Sequence, residues 1–310
     1  ARITAAALGL PIEVLEEPDC KPFKARGAAA APEADDNFYR ESLVRTLQHL
    51  SGFGRVALNG QGSDEVFYRE LLVDEAKRSP GWQLALDAAR TWYVTGRRPP
   101  IGLRAGARRD GPRLSAAQAP KWPNWIEPAW ALRLDLAGRL AILAAPVREA
   151  KTTPHAAART RLRSPFWAPY VERYDAGFSG AAIETRWPFL DARIIRFALS
   201  LPPFPWSVEK HVLRRALQPL LPAPVARRPK TRLQGEPFSA YLGADPAWPD
   251  KAMEQVMSLE GYVRPSRWRG LLESQTTLPL ESAWSLGRPV ALSLWLNSQP
   301  ATAHETALRA

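Results

Sequence analysis

Residues 55–67 read Arg-Val-Ala-Leu-Asn-Gly-Gln-Gly-Ser-Asp-Glu-Val-Phe, and the chain changes character three times within them. Val56-Ala57-Leu58 is a short apolar run, the pattern of a buried strand. Asn59-Gly60-Gln61-Gly62 is a turn whose glycines let the backbone approach a ligand closely. Ser63-Asp64-Glu65 then opens a stretch of helical character that runs on to Arg78. An open α/β sheet collects ligands at such a junction, where the carboxyl end of a strand meets the free N–H groups of the next helix. Two familiar phosphate loops do not fit. The dinucleotide fingerprint wants a third glycine where Glu65 stands, and the Walker loop wants Gly-Lys before Ser or Thr. The acids admit two readings. Asp64 and Glu65 complement the helix dipole, worth roughly 0.3–1 kcal/mol each, or they sit beside phosphate because Mg²⁺ bridges carboxylate and phosphate oxygens.

Working outward, residues 37–51 place apolar side chains three and four apart, which predicts a helix ended by Gly52 and Gly54. Residues 2–9 have helical composition, and Ile12-Glu13-Val14-Leu15-Glu16, after Pro11, reads as another strand. The chain opens Ala-Arg-Ile-Thr, without Met and directly in an element, which reads as a truncation. The Ala-, Pro- and Asp-rich stretch 18–36 reads as a loop. Helix, strand, helix, strand, glycine turn and helix predict an α/β fold, part of a doubly wound parallel sheet. Beyond about residue 80 the strand signal stops. Helices are predicted near 82–95, 129–145, 192–200, 209–220 and 278–297, and 97–126 reads as a surface excursion. The expected division is 1–80, the end of an α/β domain, and 81–310, a mostly helical region.

The 310 residues are 45% hydrophobic, enough for a sizeable core. No apolar run reaches the roughly 18 residues of a membrane span. Cys20 is the one cysteine, which excludes an internal disulfide and a Cys-rich zinc site. The four histidines, His49, His155, His211 and His304, have no metal-ligand spacing. A reducing, cytoplasmic setting is the expectation. Basic residues outnumber acidic ones 42 to 31, a net charge of +11 concentrated in 97–113, 148–163 and 210–232. Such a surplus suits an anionic partner or is only a solvated face. No helix-turn-helix, zinc finger or aromatic RNA-binding signature accompanies it, so a nucleic-acid partner is not expected. The twelve tryptophans are core, or with the arginines they suit a peptide-binding groove.

A second cluster spans 184–232. Trp187, Phe189 and Leu190 are core-like, and Asp191 can cap the helix 192–200. Lys210 stands near a helix start, where a cation opposes the dipole, so a function is easier to imagine there. Lys230 follows an Arg-Arg-Pro corner, with Arg227, Arg228 and Arg232 beside it. These side chains either form a basic surface loop or stabilise charge on phosphate oxygens and a leaving pyrophosphate.

Together the two segments resemble the synthetase domain of the asparagine synthetase family. Gly60 to Phe67 is similar to its second signature, and Glu184-Thr-Arg186-Trp-Pro-Phe-Leu-Asp191 to its E-x-R-x-P-F-L-D stretch. Lys210-His-Val-Leu-Arg214 resembles its K-x-x-L-R helix, and Arg228-Pro-Lys230 its R-x-K loop. The resemblance implies a fold of the adenine-nucleotide alpha-hydrolase type. It implies ATP against Asn59, Gly60 and Gly62, Mg²⁺ on Asp64, and catalytic lysines at Lys230 and Lys210, with Glu184, Arg186 and Asp191 supporting the site. The implied reaction is attack of a carboxylate on the α-phosphate of ATP, giving an acyl-adenylate and pyrophosphate. An amine then captures the acyl group and AMP leaves.

Three departures qualify the likeness. The family's Ser-Gly-Gly-x-Asp-Ser loop is not among these residues and would precede Ala1. Any glutaminase domain would precede it too, so the missing N-terminal half of the same enzyme is an expected partner. Gln61 occupies a catalytic position where asparagine synthetase has an acid, and a neutral amide cannot act as a base. Tyr68-Arg69-Glu70 replaces the usual Gly-Gly-Tyr. Leu201-Pro-Pro-Phe-Pro-Trp206 and Arg227-Arg-Pro-Lys-Thr231 most resemble the cyclases that close macrolactam rings in lasso peptides. The expected carboxylate substrate is therefore a peptide. Aspartate, in a true glutamine-hydrolysing asparagine synthetase, is the alternative.

Overall fold

A computed structural model describes residues 1–15, 22–23, 34, 37–67, 71–76, 79–101, 122–150, 155–226, 228, 241, 247–273 and 280–299. The elements run α1 (Arg2–Leu8), α2 (Arg40–Ser51), β1 (Val56–Leu58), α3 (Ser63–Phe67), α4 (Leu72–Glu75), α5 (Gly81–Thr95), α6 (Pro128–Arg133) and α7 (Leu136–Ala150). Next come α8 (Ala156–Leu162), α9 (Trp167–Glu172), α10 (Ala176–Ser179), β2 (Glu184–Arg186) and a 3-10 turn at Pro188–Leu190. The chain continues through α11 (Ala192–Ser200), α12 (Pro203–Trp206), α13 (His211–Leu217), α14 (Ala223–Ala226), α15 (Trp248–Met257), α16 (Pro265–Glu273) and α17 (Leu280–Asn297). No helix among the described residues is long and apolar enough to cross a membrane.

The fold is mixed α/β, but the doubly wound sheet is not seen. The described sheet has two parallel strands, with Val56 opposite Glu184, Ala57 opposite Thr185 and Leu58 opposite Arg186. The expected strand at 12–16 does not form over its described part, where residues 11–15 are irregular. Ile12 and Val14 stand 43% and 53% exposed there. An alternating pattern makes a strand only when a neighbour takes up its hydrogen bonds, and no described strand pairs with this segment. The partner of β1 lies instead in Glu184-Thr-Arg186, three polar residues in the region where no strand was expected.

Two helices form where one was expected over 129–145. Asp135 takes a left-handed conformation at φ 44, which ends α6. Its Oδ1 then accepts from Gly138 N at 3.1 Å, in the first turn of α7. An aspartate tolerates this backbone better than most residues because its short side chain bonds locally.

The main core lies among the C-terminal helices. Eleven buried residues form it: Phe38, Trp125, Trp248, Ala252, Val256, Leu259, Val263, Trp268, Leu286, Val290 and Ala291. Trp268 donates its indole N–H to Leu286 O at 3.0 Å. Gly287 leaves room for the Phe38 ring, which would collide with any Cβ there. Smaller clusters surround the β1–β2 ladder: Leu47, Ala181 and Ile183; Val66, Phe67 and Ala198; and Leu72, Phe204 and Val208.

Candidate active site

The parallel ladder extends one residue past β1, since Asn59 N donates to Arg186 O at 2.8 Å. Asn59 Oδ1 accepts from Gln61 N at 2.9 Å. That closes a side-chain-capped turn of the kind asparagine favours. Gly62 sits at φ 97, where a Cβ would lie 2.7 Å from Leu190 Cδ2. Glycine is thus required there twice, by its backbone angle and by the Pro188–Leu190 turn pressed against it. Around Gly60 the corresponding space is open. The segment Glu184–Asp191 therefore supplies both the strand beside β1 and the packing under the glycine turn.

The helix α3 then presents its acids. Gln61 Nε2 donates to Glu65 Oε1 at 3.3 Å, and Arg161 holds the Glu65 carbonyl at 3.2–3.3 Å. Glu65 Oε2 is buried without a hydrogen-bond partner among the described residues.

Lys210 comes to this turn from the helical region. Its N–H donates to Phe67 O at 3.0 Å. Its Nζ donates to Ser63 Oγ at 2.7 Å and lies 2.6 Å from Asp64 Oδ1. Both Lys210 and the preceding Glu209 hold positive φ, 61 and 49, a conformation that costs roughly 1–3 kcal/mol for each such residue. Glu209 is in turn paired with Arg97. The cation that opposes the dipole of α13 is thus compensated by the first turn of α3, where an acid is favoured.

The remaining predicted residues fall as follows. Glu184 and Arg186, two apart on one face of β2, form a bidentate pair at 2.8 and 3.2 Å. The Arg186 hydrogen bond holds the Glu184 carboxyl below its ordinary range. Asp191 caps α11 by accepting from Arg193 N at 2.8 Å, and it also takes the Arg193 guanidinium at 2.7 and 3.0 Å. The Arg193 side chain, with the backbone N–H second, lowers its pKa to about 2. Lys230 lies outside the described residues. Ser63 and Arg161 were missed by the sequence reading. Ser63 sits inside the glycine motif and could have been named from it, whereas nothing local marks Arg161, 96 positions from Glu65.

Among the described residues no group of three or more His, Cys, Asp or Glu could hold a metal. The carboxylates present, Asp64 held by Lys210 and Glu65, whose Oε2 has no hydrogen-bond partner among the described residues, fit Mg²⁺ carried in on phosphates. In such sites one or two carboxylates suffice, and phosphate oxygens and water supply the rest.

No curated protein matches the chain, and no solved structure does. The asparagine synthase family matches it over residues 33–297. With most of its length covered by that match, the chain belongs to the asparagine synthase family.

Proposed function

We propose that the protein is an ATP-dependent, AMP-forming amide ligase that adenylates a carboxylate and lets an amine capture the acyl group. The observation that carries this reading is Lys210, held at 2.7 Å from Ser63 and 2.6 Å from Asp64 at the carboxyl end of β1. A cation and an acid fixed over an open glycine turn suit a triphosphate, whose charge needs both a lysine and a carboxylate-bound cation. Asn59, Gly60 and Gly62 would face the nucleotide, and Asp64 would hold Mg²⁺, which neutralises charge on phosphate oxygens. Lys210 would stabilise the negative charge that builds as pyrophosphate leaves, with Lys230 as the second lysine. Gln61 orients Glu65 and takes no proton, so the amine must attack as its free base. The division at residue 80 belongs to the same proposal, with its two parts meeting along the β1–β2 ladder. So does a cytoplasmic setting, on the single cysteine.

Within the family we read the substrate as a peptide carboxylate, of the kind closed into a ring by lasso-peptide cyclases. The neutral Gln61 supports this, as does α5, where Trp82, Trp92 and Tyr93 stand 70%, 64% and 91% exposed. Conversion of aspartate to asparagine is the second reading, favoured by the family match itself. Pyrophosphate exchange into ATP tests both. Asp64→Asn is expected to lower exchange a hundredfold or more with its circular dichroism unchanged. Near-normal exchange would remove Asp64 from the site. Exchange driven by aspartate as well as by any peptide acid would end the peptide reading.

A further inference from the structure

Glu209 and His211 flank Lys210 in the chain but line another cavity. A pocket of about 540 Å³ opens between the end of α5 and the helices α13 and α14. Arg97, Glu209, His211, Arg214 and Arg215 line it, and neither Lys210 nor the glycine turn does. Its volume falls in the range of about 300–1,000 Å³ of small-molecule sites.

The charges inside do not balance. Arg97 and Glu209 pair with each other and cancel. Arg214 donates Nε to Glu209 O at 3.0 Å and Nη1 to Ala226 O at 2.8 Å. Those bonds fix its guanidinium in place but leave its charge uncompensated. Arg215 is exposed and has no partner among the described residues. The Nε2 atom of His211 is buried with no hydrogen-bond partner among the described residues. Burial, then Arg215 and Arg214, push the His211 pKa down, and burial and Arg97 lower that of Arg214. Surface arginines are often merely solvated, but a solvated arginine is free to turn away from its neighbours. Here one guanidinium is anchored by two carbonyls beside a second and beside an unsatisfied ring nitrogen. Like charges gathered in a concave site are stabilised by an anion between them, and planar guanidiniums suit a carboxylate or phosphate.

We infer that this pocket binds a small dianionic oxyanion, a phosphate group or a dicarboxylate, between Arg214 and Arg215. The site goes beyond the ligase reading, and its test needs no nucleotide. Calorimetric titration of the whole chain with inorganic phosphate, and separately with succinate, is the experiment. One site is expected for at least one of the two anions, and the tighter one names the ligand class. Arg215→Gln breaks no bond among the described residues and is expected to weaken binding at least tenfold without changing the melting temperature. Lys210→Met is expected to leave binding within twofold. Three results would overturn the inference: no binding of either anion, binding unchanged in Arg215→Gln, or binding abolished by Lys210→Met, which would put the anion at the glycine turn.

Discussion

The C-terminal helices and the glycine turn are both buried in part, but they hold their shape by different means. Around Trp268, eleven buried side chains form one continuous apolar cluster. Around the turn, buried residues come in groups of three. The spaces between those groups are spanned by polar ties: Asn59 to Gln61, Arg161 to Glu65, and Lys210 to Ser63 and Asp64. Apolar burial is worth about 1.5–3 kcal/mol for each large side chain. A half-exposed ion pair is worth roughly 0–1 kcal/mol. Stability therefore resides mainly in one region, while the other can carry strained residues and clustered charge.

That contrast breaks most easily at Trp268. It is fully buried with its indole N–H satisfied, so Trp268→Ala is expected to cost about 3–5 kcal/mol in urea unfolding. A loss under about 1 kcal/mol would mean the helical cluster is not the stabilising half. Gly62→Ala comes next, at about 1–3 kcal/mol, because it combines a positive φ with contact against Leu190. Adding Leu190→Ala should recover part of that loss, and a cycle showing no coupling would remove the contact from the account. Lys210→Met should cost under about 1 kcal/mol, since the pair is 29% and 40% exposed. It should nonetheless reduce pyrophosphate exchange a hundredfold or more, and a large stability loss with exchange retained would make Lys210 a structural residue.

The smallest effect is expected at Asp191. Its folded pKa of about 2 lies below its ordinary value of 3.8, chiefly through Arg193. A lowered carboxyl stabilises the fold above its unfolded pKa, and that contribution fades as pH falls through the folded one. Asp191→Asn should thus remove that small contribution at neutral pH, leave stability below the folded pKa unchanged, and flatten the acid dependence between those two values. An unchanged acid limb would separate the cap from the charge.

The sequence was legible where local chemistry decides the outcome. Asn59–Gly62 as a turn and Asp191 as a cap follow from side chains acting on their own backbone. Val56–Leu58 is a strand as read, though not a buried one, since Val56 and Leu58 stand 44% and 73% exposed. Lys210 could be singled out because it is misplaced for a helix start, but its partners could not be named from that misfit. The strand at 184–186 was hidden because its exposed polar residues carry no apolar alternation, and its pairing comes from β1. Ile12 to Leu15 showed the opposite fault, a strand-like pattern with no described strand to pair with. The tryptophans do not all share the core reading. Trp125, Trp248 and Trp268 are core, whereas Trp82 and Trp92 face outward.

The hydrogen bond from Lys210 to Ser63 joins residues 147 positions apart. Closing a loop that long costs roughly 4 kcal/mol by (3/2)RT ln n, before any constant, and only contacts made at the end offset it. A chain emerging from the ribosome carries its glycine turn long before it carries the lysine. During synthesis the turn therefore waits unpaired until Lys210, 147 positions on from Ser63, has been made. Refolding of the whole chain has no such order imposed on it. There, burial of Trp268 in its local helical cluster should precede the long-range pairing of Lys210 with Asp64.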